Sequence, residues 1–264
     1  MGLYPNRIVV KVGTSTLTNE LGQNDLRAFD KLARVLADVQ SMGYEVILVS
    51  SGAIAVGANK LGMKERPTAM RLKQAVAAVG QCGIMFFYDK FLADYDKTAA
   101  QILLNAGDIG EEEKRKNLAN TFSALLEMGI IPVVNENDSV SYTEIESEER
   151  LFGDNDRLSA VVAVLCKAKR LVILSDIDGL YDTDPRLHAN AKRIERIENI
   201  DERVFTMAGG AGSRRGTGGM KTKLQAAQMA TAQGIDTIIT NGKNPAALYD
   251  ILEGKSVGTL LKGV

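Results

Sequence analysis

The chain has 264 residues, 45% of them apolar and 25% charged, and its 32 Lys and Arg almost balance its 33 Asp and Glu, for a formal net charge of -1. That composition suits an ordinary globular protein; it excludes collagen-like, mucin-like and disordered chains, and it lacks the clustered surplus of cations that non-specific nucleic-acid binding requires. No run of about 18 apolar residues predicts a membrane span, and residues 1–6 carry none of the basic start, apolar middle and small-residue cleavage site of a signal peptide. The two cysteines, Cys82 and Cys166, have no metal-type spacing. Both are expected to be small core residues of a cytoplasmic protein.

In chain order, the Val- and Ile-rich run at 7–12 predicts a buried strand. Leu26, Phe29, Leu32, Ala33, Leu36 and Val39 recur at helical spacing over 24–42, and Gly43 ends that helix. A strand follows at 44–49, and Ser50-Ser51-Gly52-Ala53 turns into a short helical stretch. Pro67 suits the first turn of a long helix reaching about residue 94. Then come a strand at 99–104, a helix at 112–128 and a strand at 130–135. The polar segment 137–153, with Glu144, Glu146, Glu148 and Glu149, is expected to be a surface hairpin or lid with a solvated acidic face. The pattern resumes with a helix at 156–166, strands at 170–174 and 192–197, a helix at 220–233, a strand at 237–240, a helix at 245–253 and a strand at 258–261. The nine methionines are expected to be mostly helix packing. Such alternation implies right-handed crossovers and an α/β fold, a mostly parallel central sheet sandwiched by helices in three α/β/α layers. No linker or internal repeat divides the chain, so a single domain with two lobes over 1–264 is expected, each lobe feeding one substrate site.

Ligands of open parallel sheets bind beyond the carboxyl ends of the strands. Four predicted strand ends carry chemistry: Lys11-Val12-Gly13-Thr14-Ser15, Ser50-Ser51-Gly52-Ala53, Asn135-Glu136-Asn137-Asp138 and Ser175-Asp176-Ile177-Asp178-Gly179. Lys11, at the end of a buried strand, is costly unless its ammonium meets an anion. The Gly-rich basic stretch from Gly209 to Lys223 leads into a helix, where backbone N–H groups and the positive helix end can wrap a polyphosphate. Lys223 opposes that helix dipole, a conflict that a phosphate would relieve. Neither a Gly-x-x-x-x-Gly-Lys-Ser/Thr window nor a strand-following Gly-x-Gly-x-x-Gly is present, which disfavours a P-loop and a dinucleotide-binding fold. Asp154, Asn155 and Asp156 precede a helix, as caps or as carboxylates that orient lysines or reach a metal. Asp176-Ile177-Asp178-Gly179 lacks the spacing of an EF-hand. His188, the one histidine, sits in a surface-loop context, which excludes multi-histidine metal sites.

These blocks, with Phe152-Gly153-Asp154-Asn155-Asp156, Leu180-Tyr181, Gly216-Thr217-Gly218-Gly219-Met220 and Lys223-Leu224-Gln225-Ala226-Ala227, in order over essentially the whole chain, resemble the glutamate 5-kinases of the amino acid kinase superfamily. The resemblance implies transfer of the ATP γ-phosphoryl, with Mg²⁺, to the side-chain carboxylate of L-glutamate at the start of proline biosynthesis. By that resemblance Lys11 and Lys223 are phosphoryl-stabilising lysines and Asp156 organises them. Ser51, Asp138 and Asn155 belong to the glutamate site, and Gly52 and Ala53 shape its pocket. Lys11, Ser175, Asp176, Gly216, Thr217, Gly218, Gly219, Met220, Lys221, Thr222 and Lys223 belong to the nucleotide site, with no protein ligand assigned to the metal. The glutamate lobe is expected at about 1–165 and the ATP lobe at about 166–264. Proline feedback and a homodimer or homotetramer are further family implications, with no nucleic-acid or membrane partner. Ser175 stands where many members have Thr, and Lys221 where a small polar residue is common. Many bacterial members also append a domain of the type found in RNA-modifying enzymes, beyond the point where this sequence stops. Other amino acid kinases, acting on acetylglutamate, aspartate, carbamate or a nucleotide monophosphate, and a non-catalytic nucleotide sensor on the same fold, are the alternatives.

Overall fold

The computed structural model describes residues 2–19, 22–140, 155–208 and 219–264. Its strands are β1 (Tyr4–Val12), β2 (Glu45–Val49), β3 (Ala99–Leu104), β4 (Ile131–Glu136), β5 (Ala168–Ser175), β6 (Arg196–Ile197), β7 (Asp236–Asn241) and β8 (Thr259–Leu261). They form one sheet in the order β3-β4-β2-β1-β5-β7-β8-β6. The pairs from β3 to β7 are parallel, β8 runs antiparallel to β7, and β6 is parallel to β8.

The helices are α1 (Thr14–Leu17), α2 (Leu26–Ser41), α3 (Ala53–Lys60), α4 (Met70–Ala93), α5 (Ala106–Gly110), α6 (Glu112–Glu127), α7 (Asn155–Leu165), α8 (Glu202–Ala208), α9 (Met220–Thr231) and α10 (Ala247–Leu252). Both sheet faces are covered, and the strands record it residue by residue. Val9, Ile47, Val49, Leu171 and Ile173 pack with Phe122 of α6, Leu158 of α7 and Leu224 of α9. Their neighbours Ile8, Val10, Val46, Leu48, Val172 and Leu174 pack with Phe29 and Leu36 of α2, Tyr88 of α4 and Leu248 of α10. Because side chains alternate along a strand, a run apolar at every position has two faces to bury. The expected α/β/α sandwich is therefore present.

Several local expectations are corrected. Pro67 lies three residues before α4, whose N-cap is Ala69. The predicted strand at 192–197 is regular only at Arg196–Ile197. Helices α1, α5 and α8 form where no element was expected. Cys166 is buried, and burial pushes its thiol up to about 12, but Cys82 is exposed on α4. Among the methionines, Met220 is buried, whereas Met42, Met70, Met128 and Met207 are exposed. Contrary to the absence of any span in the sequence reading, α4 is long and apolar enough to cross a membrane by length and composition, with a mean hydropathy of 1.2. It packs instead as a core helix, with Ile84, Tyr88 and Leu92 fully buried in the layer below the sheet.

The topology sets the site. After β1 the chain builds outward through β2, β4 and β3, then crosses back to lay β5 on the other side of β1. Strand order reverses at β1/β5, and such a switch point opens a crevice at the carboxyl ends. The ends of β4, β2, β1 and β5 are neighbours there, so four chemistry-bearing segments converge.

Candidate active site

At the crevice centre is a buried charge cluster. Asp156, in the first turn of α7, is fully buried. Its Oδ1 lies 2.6 Å from Nζ of Lys11 at the end of β1, and its Oδ2 lies 3.1 Å from Nζ of Lys223 on α9. Thr222 Oγ1 donates to the same Oδ2 at 3.1 Å. Burial alone would raise the Asp156 carboxyl, but the ammonium groups of Lys11 and then Lys223 outweigh it and hold the carboxyl below its ordinary value. Desolvating an ion costs several kcal/mol, which only good geometry repays. Among the described residues, two lysines share this one buried carboxylate. The anion predicted for Lys11 is thus supplied in part by Asp156, which also offsets the dipole conflict of Lys223.

On the β2/β4 side the groups that Asn155 meets are neutral. Asn155, next to Asp156, donates through Nδ2 to the Ser50 carbonyl at 2.9 Å, to Ser51 Oγ at 2.8 Å and to Asn135 Oδ1 at 3.1 Å. Ser51 is followed by Gly52, whose φ of +96° is left-handed, and by Ala53, the first residue of α3. The left-handed backbone favours glycine, and a β-carbon there would also crowd the Thr14 methyl at 3.3 Å. Asp138 follows β4 in a turn, where burial first and the neighbouring Glu136 charge second push its carboxyl up to about 6. The predicted residues Ser51 and Asn155 are brought into direct contact, with Gly52 and Ala53 beside them. No hydrogen bond links Asp138 to them among the described contacts.

On the β5/β7 side a cleft of about 290 Å³ is lined by Ser175, Asp176, Asp178, Tyr181, Gly219, Met220, Lys223 and Asn241, among others. Ser175 Oγ donates to Asp176 Oδ1 at 3.1 Å. Lys223 therefore borders both the charge cluster and this cleft. Lys221 is exposed and is not among the residues lining it. Gly216, Thr217 and Gly218, the Phe152-Gly153-Asp154 block and most of the expected hairpin lie outside the described residues. His188 is exposed, as its loop context predicted. Among the described residues no three His, Cys, Asp or Glu side chains converge to hold a metal ion.

Two partners of the site carried no assigned role in the sequence reading. Asn135, at the end of β4, accepts from Asn155 and also donates from Nδ2 to Gln81 Oε1 at 2.9 Å. Gln81 falls on α4 in register with Ala77, Ile84 and Tyr88. A buried-stripe amide between Ala77 and Ile84 is the signal that could have found it.

A buried cluster of two lysines and a carboxylate, placed at the switch point of a parallel sheet between an amide and hydroxyl network and a cleft, suits a phosphotransferase. The family model described as "Amino acid kinase family" matches residues 6–241, and the chain belongs to that family. Its fold matches carbamate kinase from Giardia lamblia bound to AMP-PNP with a TM-score of 0.70 at 14% identity, over 98% of each chain. Within the family the likeness is to the glutamate 5-kinases. The chain is 54% identical to that of Clostridium perfringens over 96% of its own length and 94% of the relative's, and 48% identical to that of Caldanaerobacter subterraneus over 96% of its own length and 67% of the relative's.

Proposed function

We propose that the protein transfers the γ-phosphoryl group of ATP to the side-chain carboxylate of L-glutamate, giving L-glutamyl 5-phosphate for proline biosynthesis. The observation that carries this reading is the buried Lys11–Asp156–Lys223 cluster, set between the Ser51/Asn155 hydrogen-bond network and the Ser175/Gly219 cleft. Two ammonium groups held at one buried point suit an anion. A transferring phosphoryl group provides one whose charge is greatest at the moment of transfer.

An acceptor oxygen of the glutamate carboxylate bonds to the γ-phosphorus while the bond from that phosphorus to the bridging oxygen breaks, and ADP leaves. The acceptor has a reference pKa of about 4.3 and is ionised at neutral pH, so no general base is needed. Exposed His188 takes no part. Lys11 and Lys223 hold their ammonium groups toward the transferring oxygens, and Asp156 fixes both in place. Ser51, Asn155 and Asp138, with Gly52 and Ala53 forming the wall, orient the acceptor. Ser175, Asp176 and the segment 216–223 receive the nucleotide. We assign residues 1–165 to the acceptor lobe and 166–264 to the nucleotide lobe. Mg²⁺ belongs to the nucleotide in this reading, carried by phosphate oxygens and water, since the described residues form no cage of His, Cys, Asp or Glu for it. The free cysteines fit a reducing cytoplasm.

Hydroxylamine traps an acyl phosphate as a coloured hydroxamate. With ATP and Mg²⁺, L-glutamate should give colour, and aspartate and N-acetylglutamate should not. Colour from another carboxylate would change the acceptor, and none from any of them, with ATP still bound, would replace the kinase by a nucleotide sensor. Proline added to the same assay tests feedback inhibition, and sizing tests the dimer or tetramer.

A further inference from the structure

The neutral side of the site has a wiring that its backbone partners make unambiguous. The Ser50 carbonyl can only accept, so the Asn155 amide nitrogen faces it. Asn135 Oδ1 receives that amide and also the backbone N–H of Glu136 at 2.9 Å, which can only donate. Asn135 must therefore turn its own nitrogen to Gln81, whose Oε1 accepts it. The direction of the relay is forced from the β2 end to α4, and it finishes on Gln81 Nε2.

That nitrogen is buried and has no hydrogen-bond partner among the described residues. Gln81 itself is 8% exposed. A buried amide donor without an acceptor costs about 1–3 kcal/mol, and buried polar groups are almost always paired. The position of Gln81 is not accidental. At the adjacent Gly80 a β-carbon would collide with the Ala53 carbonyl at 1.7 Å, and at Gly57 with the Val76 carbonyl at 2.0 Å. The two glycines let α3 and α4 touch backbone to backbone, and through Asn135 and Asn155 the Gln81 amide joins the hydrogen-bonded network that includes Ser51, next to Gly52 and Ala53.

We propose that Gln81 is an acceptor-binding residue, whose Nε2 donates to a carboxylate oxygen of the bound phosphoryl acceptor. This rests on the reading above that the acceptor is a carboxylate. The relay leaves one donor over, and the substrate brings the acceptor that completes it. A neutral amide suits that place, because a lysine there would draw the acceptor away from Lys11 and Lys223, and a carboxylate would repel it.

The test is the order of two variants. Gln81→Leu removes both the bond to Asn135 and the donor. Gln81→Glu keeps an acceptor for Asn135 but turns the donor into a second acceptor. If Nε2 faces a substrate carboxylate, Gln81→Glu is the worse variant, with the acceptor KM raised about 100-fold or more against about 10-fold for Gln81→Leu, since a hydrogen bond to a charged group is worth that order. The ATP KM should be unchanged in both. If Gln81 only supports Asn135, Gln81→Glu binds the acceptor as well as or better than Gln81→Leu, and the proposal fails. Thermal unfolding shows whether each variant folds, and Gln81→Asn, a shortened amide, replaces any that does not: a raised acceptor KM with unchanged ATP KM supports the proposal, and an unchanged acceptor KM overturns it. The order is read on whichever carboxylate the unaltered protein phosphorylates. A wrong acceptor therefore fails the functional reading without deciding the role of Gln81, and the order of the variants decides that role.

Discussion

Asn155 and Asp156 are adjacent, turned about 100° apart at the start of one helix, and they divide the site. Asn155 reaches the ends of β2 and β4 through neutral amides and hydroxyls. Asp156 reaches β1 and α9 through two buried ammonium groups. One region orients a molecule that carries its own charges and needs only direction. The other holds fixed charge where new charge develops. The comparison teaches that, within the site, the tightest cluster of buried charge sits where the reaction develops charge. The acceptor side avoids that cost with a relay of neutral groups.

The comparison breaks first at Asp156. Asp156→Asn would remove the carboxylate that two buried lysines share. Removing one partner of a buried pair costs about 3–5 kcal/mol, and at this chain length that is a fall in Tm on the order of 10 °C. Turnover should fall further than in any single lysine variant. Acid should act the same way. The folded pKa of Asp156 is depressed, so its stabilising share is present above the unfolded value near 3.8 and is lost as pH falls through the folded value. Calorimetry and turnover on the same sample check both, and a variant that keeps its Tm and its rate would remove Asp156 from the centre of the site.

Lys223→Ala is the next largest. It leaves the Lys11–Asp156 pair intact and neutral, so the fold should lose less than in Asp156→Asn. Catalysis should lose about 10²–10³ in kcat, as when one fixed donor to a developing charge is removed. Wild-type-like turnover would make the second lysine structural.

Much of this was legible in the sequence. The buried strands were clear because β1, β2 and β5 are apolar on both faces. That four strand ends carry the chemistry followed from the alternation and the residues there, whereas their lying side by side needed the strand order. What failed was short or polar. Helix α1 is four residues, three of them Thr or Ser, and reads as a loop. Helix α5 is started by a reciprocal cap between Asn105 and Asp108 rather than the commoner Ser/Thr with Glu. Helix α8 is announced by Asp201, whose Oδ1 accepts from the N–H groups of Arg203 and Val204, but only Val204 and Ala208 of it are buried, too little for a period. Lys223 was marked by its conflict with the helix dipole. That Asp156, 67 residues earlier, answers it is tertiary information. Gln81 was visible as one amide in an apolar stripe, but its meaning needed the hydrogen bond to Asn135.

Asp138 supplies the smallest effect and the sharpest contrast, because its carboxyl shifts the opposite way from that of Asp156. Burial and Glu136 raise it to about 6. A raised carboxyl stabilises the unliganded fold fully below the unfolded value near 3.8, and that share is lost as pH rises through about 6. At neutral pH the unliganded protein therefore keeps Asp138 ionised at a cost. If that charge serves the ammonium group of the acceptor, the acceptor KM should rise as pH falls below about 6, approaching tenfold one unit lower, while the acceptor's own carboxylate stays ionised. Asp138→Asn should raise the KM at pH 7.5, flatten the profile, and raise the Tm of the unliganded protein at that pH relative to wild type. The ATP KM should not follow. A wild-type profile flat between pH 5 and 7.5 would detach Asp138 from the acceptor and leave it a costly turn residue. A profile that bends near 6, flattens in the variant and is accompanied by a more stable unliganded protein would show the neutral side of the site keeping one charge of its own, at the rim, where the acceptor enters with a charge to match it.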